Sequence, residues 1–351
     1  MPAYKDEKRG TWYCNFYYTD WQGARKAKLK RGFKKQKDAK EWERTFLDKL
    51  QASPQMTFAS LVDLYTSDIS NRLRLSTMNT KRYLIDTKVL PYFSKQQIDK
   101  ITPANIRQWQ NELISQGYAE TYLKTIHNQL SAIFNYAVKY YGLKENPCHK
   151  SGSMGRKHAK EMLFWTKAEY QCFSKSLEYK PQAHGAFQVL YWCGLRVGEL
   201  LALTRSDIDI EKKTIRINKS YQRIEGQDIV TEPKTPKSNR VVAIPDFLCI
   251  ELQDYMSKLY EISPNTRIFP VTKHFLKREI DKGCKVSEVK RIRVHDIRHS
   301  HASLLIEMGF SPNLIAERLG HENIETTLNT YAHLYPHKQS ELAKSLENEA
   351  F

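Results

Sequence analysis

Five side chains in the second half of the chain could together handle a phosphate group. Arg196 and Arg298 carry guanidinium groups, whose N–H donors match the oxygen atoms of a phosphate. His295 and His321 carry imidazoles, which can move protons or donate hydrogen bonds near neutral pH. Tyr331 carries a phenol, which can attack phosphorus and form a covalent intermediate. Together these residue types indicate phosphoryl transfer.

The segment around Arg196 could orient its side chain. In WCGLRVGELLAL, Gly194 and Gly198 flank Arg196, and Glu199 begins an apolar helical stretch. Glycines permit close backbone approach, and Glu199 could orient Arg196 or a backbone amide near it. The alternative is a buried Arg–Glu pair with a purely structural role.

VHDIRHSHASLLIEMG has a helical pattern, which places His295 and Arg298 on one face, where both could point at one phosphate. His299, four residues after His295, and the nearby His301 raise the alternative of a metal site. A divalent ion would be repelled by Arg298, and no carboxylate or cysteine cluster completes its ligands, so we predict no metal.

His321 and Tyr331 lie in SPNLIAERLGHENIETTLNTYAHL. The pattern predicts a helix that ends at Gly320, whose C-cap would fix where His321 points. A second helix is predicted to begin near Asn323 and to carry Tyr331. The alternative for Tyr331 is an ordinary core aromatic, since the chain has 20 tyrosines.

Size and charge indicate a multidomain protein with a polyanionic partner. A chain of 351 residues is expected to form two or three cores. Lys and Arg outnumber Asp and Glu by 56 to 39, a net charge of +17, which favours nucleic acid. Neither a membrane-spanning run nor the apolar stretch of a signal peptide is seen, so we expect a cytoplasmic protein. The six cysteines form no CxxC pair, and we predict neither a zinc site nor a disulfide framework.

Residues 1–52 are predicted to form a three-stranded sheet and a helix that begins at Lys37. The aromatics Trp12, Tyr13, Phe16 and Tyr18 are expected to build one face of the sheet. Seven basic side chains are left to bind DNA phosphates: Arg25, Lys26, Lys28, Lys30, Arg31, Lys34 and Lys35. The alternative is a solvated basic surface without a partner.

Residues 56–147 are predicted to be a domain of four helices, with Thr57, Ser76 and Thr102 as N-caps and Pro103 at a first helical position.

Residues 148–162 combine Pro, Gly, Ser and basic residues, which predicts a flexible linker that would let two domains close around a duplex. Residues 163–351 are predicted to be mostly helical, broken between about Thr214 and Pro245 by the β-prone runs TIRIN, IVTEP and RVVAIP. Lys234 sits at a turn in this insert.

The order Arg, Lys, HxxR, LGH, Tyr resembles that of the tyrosine recombinase family, also called the phage integrase family. GLRVGEL, PKTPKSNR, HDIRHSHASLL and LGHENIETTLNTYAH are similar to its signature segments. Residues 1–50 resemble an arm-site DNA-binding domain and residues 57–141 a helical, SAM-like core-binding domain. The implied fold is multidomain and mainly α, with a mixed α/β, mostly helical catalytic domain.

The resemblance implies a catalytic set that uses no metal or cofactor: Arg196, Lys234, His295, Arg298, His321 and Tyr331. Tyr331 would be the nucleophile, the arginines would clamp the phosphate, and Lys234, with Lys237 as its rival, would protonate the leaving 5′ oxygen. A free phenol has a pKa near 10, so attack at neutral pH needs a base or positive surroundings. The 3′-phosphotyrosine would keep the bond energy, so that a 5′ hydroxyl could reseal the strand without ATP.

The implied function is site-specific recombination that integrates, and in reverse could excise, a phage or mobile element at attachment sites. The implied partners are double-stranded DNA, three further copies of the chain, an excisionase and a host DNA-bending protein. The tail Lys338–Phe351, with Leu342 and Leu346 four apart, would dock on a neighbouring subunit; a frayed end is the alternative. Two other functions remain as alternatives. One is a chromosome-dimer resolvase of the same family, which usually lacks the basic N-terminal domain. The other is a noncatalytic DNA-binding regulator, which would tolerate Tyr331→Phe.

Overall fold

The computed structural model describes residues 3–7, 9–19, 25–50, 56–156, 162–233, 235–259 and 263–331. The chain divides into two units, Met1–Lys160 and Glu161–Phe351. No helix among the described residues is long and apolar enough to span a membrane.

The first unit begins with the predicted antiparallel sheet and helix. Its elements are β1 (Ala3–Asp6), β2 (Thr11–Thr19), β3 (Arg25–Phe33) and α1 (Gln36–Leu50), with strand order β1-β2-β3. Because successive side chains of a strand point to opposite faces, Phe16 and Tyr18 lie together under α1. Their rings contact Phe46 of α1 at centroid distances of 5.5 and 5.1 Å. This cluster forms the small core of the sheet.

Helices make up the rest of the first unit. They are α2 (Phe58–Ser70), α3 (Leu75–Leu84), a π-helical turn (Ile85–Val89), α4 (Leu90–Phe93), α5 (Pro103–Ser115), α6 (Glu120–Tyr140) and α7 (Pro147–Ser151). Thr57 caps α2 and Thr102 caps α5, as predicted, since each side chain accepts a backbone N–H of the first turn. The prediction of Ser76 as an N-cap is wrong, because α3 begins at Leu75 and its N-cap is Arg74.

The linker predicted for residues 148–162 begins too early. Cys148 and Met154 are buried, 2% and 3% exposed, in the same core as α2, α5 and α6. The Gln110 side chain donates to the carbonyl of Gly152 over 2.8 Å. The segment is polar in composition, but Cys148 and Met154 pack in the core, so the helical domain extends at least to Met154.

The second unit contains eight helices and five short strands among its described residues. The helices are α8 (Lys167–Lys175), α9 (Pro181–Cys193), α10 (Val197–Ala202), α11 (Asp246–Ser257), α12 (Lys273–Ser287), α13 (Asp296–Glu307), α14 (Pro312–Leu319) and α15 (Ile324–Tyr331). The strands are β4 (Ile208–Asp209), β5 (Thr214–Ile217), β6 (Ser220–Ile224), β7 (Gln227–Thr231) and β8 (Arg240–Ala243). They form a sheet β4-β5-β8 and a hairpin β6-β7. The β-prone runs predicted β5, β7 and β8 but missed β6.

Helix α9 leads directly into the Arg196 segment. It ends at Gly194, which has φ of +65°, and a Cβ there would lie 2.5 Å from the His301 ring. A Cβ on Gly198 would lie 2.4 Å from the Ser220 hydroxyl oxygen. Both glycines therefore permit the close approach that the sequence predicted, of the end of α9 to α13 and of α10 to β6.

Candidate active site

Arg196 stands at the N-cap of α10, where Glu199 holds it. The Glu199 carboxylate accepts the Arg196 backbone N–H over 2.9 Å and its Nη1 over 2.7 Å. The Arg196 side chain remains 37% exposed, so its guanidinium has an open side. Two hydrogen bonds from Arg196 to Glu199 therefore hold both the backbone and the guanidinium of Arg196.

The carboxylate of Glu199 is buried and also pairs with a second arginine, Arg240 of β8. Arg240 Nη2 lies 3.0 Å from Glu199 Oε2, and its side chain is 6% exposed. Burial opposes ionisation of Glu199, but the charges of Arg240 and Arg196 outweigh it and lower its pKa. Arg240 also donates from Nε to the carbonyl of Arg318 over 2.8 Å. Arg240 was not singled out from the sequence, and it joins the site through its hydrogen bonds to residues of α10 and α14.

Arg298 is buried in the first turn of α13, 3% exposed. Its Nη1 donates to the Gly194 carbonyl over 2.7 Å, and its Nη2 donates to the Leu319 carbonyl. Burial and the nearby charge of Arg196 lower the pKa of Arg298 to about 9. His295 is exposed at the N-cap of the same helix. Two carbonyls thus fix the Arg298 guanidinium between the ends of α9 and α14.

The turn between α14 and α15 fixes His321. Gly320 ends α14 with φ of +66°, as predicted, and its carbonyl accepts Arg196 Nη2 over 3.2 Å. His321 Nδ1 lies 2.7 Å from the Thr327 hydroxyl. Burial and the positive charge of Arg298 lower the pKa of His321 to about 4. The imidazole is therefore neutral at pH 7, with Nδ1 held by the Thr327 hydroxyl.

Tyr331, at the end of α15, is 1% exposed and packs with Ala302 and Ile315 in a small core. Its hydroxyl lies 2.6 Å from Nδ1 of His299. Burial raises the pKa of Tyr331 to about 12, although the charge of Arg298 acts in the opposite direction. The tyrosine is thus both a core aromatic and part of the polar site. The sequence pattern suggested His299 only as a possible metal ligand, whereas in the structure its hydrogen-bond partner is the Tyr331 hydroxyl.

Lys234, the implied general acid, lies outside the described residues. Its rival Lys237 is exposed on the 3-10 turn Pro236–Ser238, and its Nζ donates to the Glu322 carbonyl over 2.9 Å. Lys237 therefore contacts the turn that carries His321. Among the described residues, no group of three or more His, Cys, Asp and Glu side chains is placed to hold a metal ion.

An open groove of about 920 Å³ adjoins the site between β8 and α14. Its lining includes Arg240, His321 and the partly exposed apolar side chains of Phe310, Leu314 and Ile324.

The basic residues predicted to bind DNA do not form one surface. They are Arg25, Lys26, Lys28, Lys30 and Arg31 on β3, followed by Lys34 and Lys35. Lys28 pairs with Phe16 across the strands and lies over the Phe46 ring at 5.6 Å, on the side of α1. Arg25 lies over the Tyr17 ring at 4.7 Å, on the opposite face.

The alternation also separates the aromatics that were predicted to share one face. Phe16 and Tyr18 lie under α1 with Trp12, whereas Tyr13 lies on the other face, with Arg31 5.6 Å from its ring centroid. We call the face with Tyr13, Tyr17, Arg25 and Arg31 the outer face.

Comparisons with known proteins support this architecture segment by segment. The profile of the phage integrase family matches residues 164–338, that of an Arm DNA-binding domain residues 2–50, and that of the phage integrase N-terminal SAM-like domain residues 57–114. The ICEBs1 integrase of Bacillus subtilis (strain 168) is 34% identical over 339 residues, which cover 92% of this chain and 88% of that protein. The integrase of Staphylococcus phage L54a is 27% identical, covering 71% of this chain and 80% of that protein.

Solved structures share the fold. The Tn1549 transposon integrase in complex with a circular intermediate DNA superposes with a TM-score of 0.68 at 20% identity, covering 84% of this chain and 100% of that one. A lambda integrase dimer bound to a COC′ core site gives a TM-score of 0.62 at 18% identity, covering 94% and 95%. From its similarity to an integrase over 92% of its length and from the order of its three domain matches, the chain belongs to the phage integrase family and is a site-specific recombinase of the tyrosine type.

Proposed function

We propose that this recombinase cuts DNA with Tyr331 and holds the scissile phosphate with Arg196, His295, Arg298 and His321. The Tyr331 oxygen forms a bond to phosphorus while the bond from phosphorus to the 5′ oxygen breaks. A lysine, Lys234 or its rival Lys237, protonates that oxygen. A 5′ hydroxyl from a second strand reverses these steps and reseals the DNA.

The observation that carries this proposal is the convergence of two guanidinium groups on one turn. Arg196 and Arg298 donate to neighbouring carbonyls at the end of α14, those of Gly320 and Leu319, and His321 follows immediately. A phosphate beside this turn would meet two fixed positive charges and a neutral imidazole donor. Removing one such preorganised donor typically slows catalysis about 100- to 1000-fold.

The direct test is to trap the covalent complex. Purified protein is incubated in EDTA with DNA that flanks its own gene, and the reaction is stopped with SDS. We expect an adduct for the wild type and none for Tyr331→Phe. Tyr191→Phe is the matched control, because Tyr191 is also buried and its hydroxyl has no hydrogen-bond partner in the described structure. An adduct that persists in Tyr331→Phe would refute the assignment; a noncatalytic regulator would give tight binding without any adduct.

We propose that the biological reaction is integration, and in reverse excision, of a phage or other mobile element at attachment sites. The similarity to the ICEBs1 integrase and to a phage integrase supports this reading. The outer face of the N-terminal sheet would bind arm sites, and the helical domain and the catalytic unit would bind core sites. We place this reaction in the host cytoplasm, at the nucleoid, with an excisionase and a DNA-bending protein as further partners.

We also propose that four copies assemble on DNA through their tails. A lambda integrase tetramer bound to a Holliday junction has the same fold, with a TM-score of 0.60. The groove beside β8 and α14 offers apolar side chains in a basic setting. The tail segment 338–351 carries Leu342 and Leu346 among three acidic residues and two lysines, and from a neighbouring copy it would supply matching chemistry.

A further inference from the structure

We propose that His299 is the base that takes the proton of the Tyr331 hydroxyl as the nucleophile attacks. This inference rests on the proposed role of Tyr331. His299 Nδ1 lies 2.6 Å from the reacting oxygen, within the distance that proton transfer requires. Among the described residues, the hydrogen-bond partner of the Tyr331 hydroxyl is His299.

The protonation states suit a donor phenol and an acceptor imidazole. Burial, followed by the effect of His295, lowers the pKa of His299 to about 4, and burial raises the pKa of Tyr331 to about 12. At neutral pH the hydroxyl therefore carries the proton and donates it to the free lone pair of Nδ1. An imidazole that was already protonated could not serve as the acceptor.

The difference between these pKa values also sets the timing of the transfer. Because the pKa of His299 is lowered and that of Tyr331 is raised, the ionised pair is disfavoured in the resting protein, so His299 does not deprotonate Tyr331 in advance. As the bond to phosphorus forms, the phenol oxygen becomes far more acidic and its proton moves to Nδ1. A bound phosphate also brings negative charge next to Arg298 and His295, which favours the imidazolium form of His299.

The protons balance across the reaction. In cleavage, the Tyr331 proton moves to His299, and the leaving 5′ oxygen takes a proton from a separate lysine. In resealing, His299 returns its proton to the phenol oxygen as the phosphotyrosine bond breaks, and the lysine recovers its own proton from the attacking 5′ hydroxyl. The neighbouring groups that influence His299 are His295, Asp296, Arg298 and Arg293 on or before its own helix, Tyr331 of α15, and His321 after α14.

The fold places His299 for this task. His295 at the N-cap and His299 in the first turn of α13 have ring centroids 5.3 Å apart, and His295 is exposed whereas His299 is half-buried. The residue before His299, Arg298, donates to carbonyls at the ends of α9 and α14. One helical turn therefore supplies both a phosphate ligand and the acceptor for the nucleophile.

The experiment measures covalent adduct formation by the full chain on a nicked suicide substrate. His299→Phe keeps an aromatic ring but has no acceptor, and His299→Asn can accept the hydrogen bond without taking the proton. We expect both variants to form the adduct about 100-fold more slowly than the wild type, a typical size for loss of a general base. His184→Asn, which alters a half-buried histidine bonded to Ser174, should cleave at the wild-type rate.

A second substrate tests whether the His299 variants are slow in the attack by Tyr331 or in the departure of the 5′ oxygen. A 5′-bridging phosphorothiolate leaves without needing a proton, so it rescues variants that lack the general acid. The His299 variants should remain slow on it.

A wild-type rate in His299→Asn would show that His299 only positions the Tyr331 hydroxyl. A wild-type rate of the His299 variants on the phosphorothiolate would show that His299 acts in protonation of the leaving 5′ oxygen. Either result overturns the proposal. Thermal melting and DNA binding establish that each variant is folded, and absence of any wild-type adduct would instead count against the role of Tyr331.

Discussion

At the scale of single residues, the site depends on buried charges that hold one another in place. Glu199 accepts hydrogen bonds from both Arg196 and Arg240. Arg240 is buried with it, whereas Arg196 keeps an exposed side. The sequence left open whether Arg196 and Glu199 form a structural pair or part of a site. Tertiary packing allows both, since Arg240 supplies the buried partner and leaves Arg196 available for a ligand.

Loss of Arg240 should therefore destabilise the protein. Arg240→Ala leaves the Glu199 charge buried with one partner fewer, and we expect it to lower the free energy of unfolding by about 3 kcal/mol. Arg72→Ala removes an exposed partner of Asp68 and should cost about 0 to 1 kcal/mol. Chemical denaturation measures both. Equal small effects in the two variants would show that the Arg240–Glu199 pair does not stabilise the fold.

Buried histidines should make the protein sensitive to acid. Burial and the charge of Arg318 lower the pKa of His301 to about 3, so the unfolded chain binds its proton at higher pH than the folded chain does. Stability is then complete above the unfolded pKa of about 6.5 and falls as the pH drops towards 3, by up to about 1.4 kcal/mol per pH unit. Denaturant unfolding between pH 7 and 5 measures this slope. His301→Gln should reduce the slope, and an unchanged slope would contradict the assignment.

At the scale of elements, strand alternation divides the basic residues of the N-terminal sheet into two groups. Composition alone predicted one phosphate-binding group. The observed register pairs Tyr17 with Ala27 and Phe16 with Lys28, so neighbouring residues on β3 face opposite sides. One side is occupied by α1, and the outer face remains for a partner.

Substitutions on the two faces should affect DNA binding differently. Arg25→Ala, on the outer face, should weaken binding and reduce the slope of log affinity against log salt by about 0.9, the value for one phosphate contact. Lys28→Ala, on the face with α1, should leave the slope almost unchanged. Titrations of arm-site DNA with the full chain at several salt concentrations measure both slopes. A larger effect for Lys28→Ala would place the DNA on the other face.

At the scale of the whole molecule, the groove beside the site is where copies of the chain would meet. We expect Leu314→Glu, which puts a charge in the groove at a side chain 47% exposed, to prevent a tetramer from assembling on DNA. Single copies should still bind one core site, because Leu314 is not among the residues proposed to hold DNA. Sedimentation of DNA complexes separates the two states. Ile250→Glu, on an exposed side chain of α11 outside the groove, is the control. Normal tetramers in Leu314→Glu would exclude the groove as the contact.

The sequence by itself determined the local elements and the residue types of the site. Gly320 ends α14 because a C-cap needs a left-handed backbone, and Thr57 and Thr102 begin helices because their hydroxyls accept first-turn N–H groups. These are short-range effects that a linear pattern contains. Only the tertiary structure decided that Arg240 pairs with Glu199, that His299 meets Tyr331 across 32 positions, and that Cys148 and Met154 anchor a polar segment. Those contacts join residues far apart in the chain, and the burial that shifts their pKa values exists only once the helices have packed.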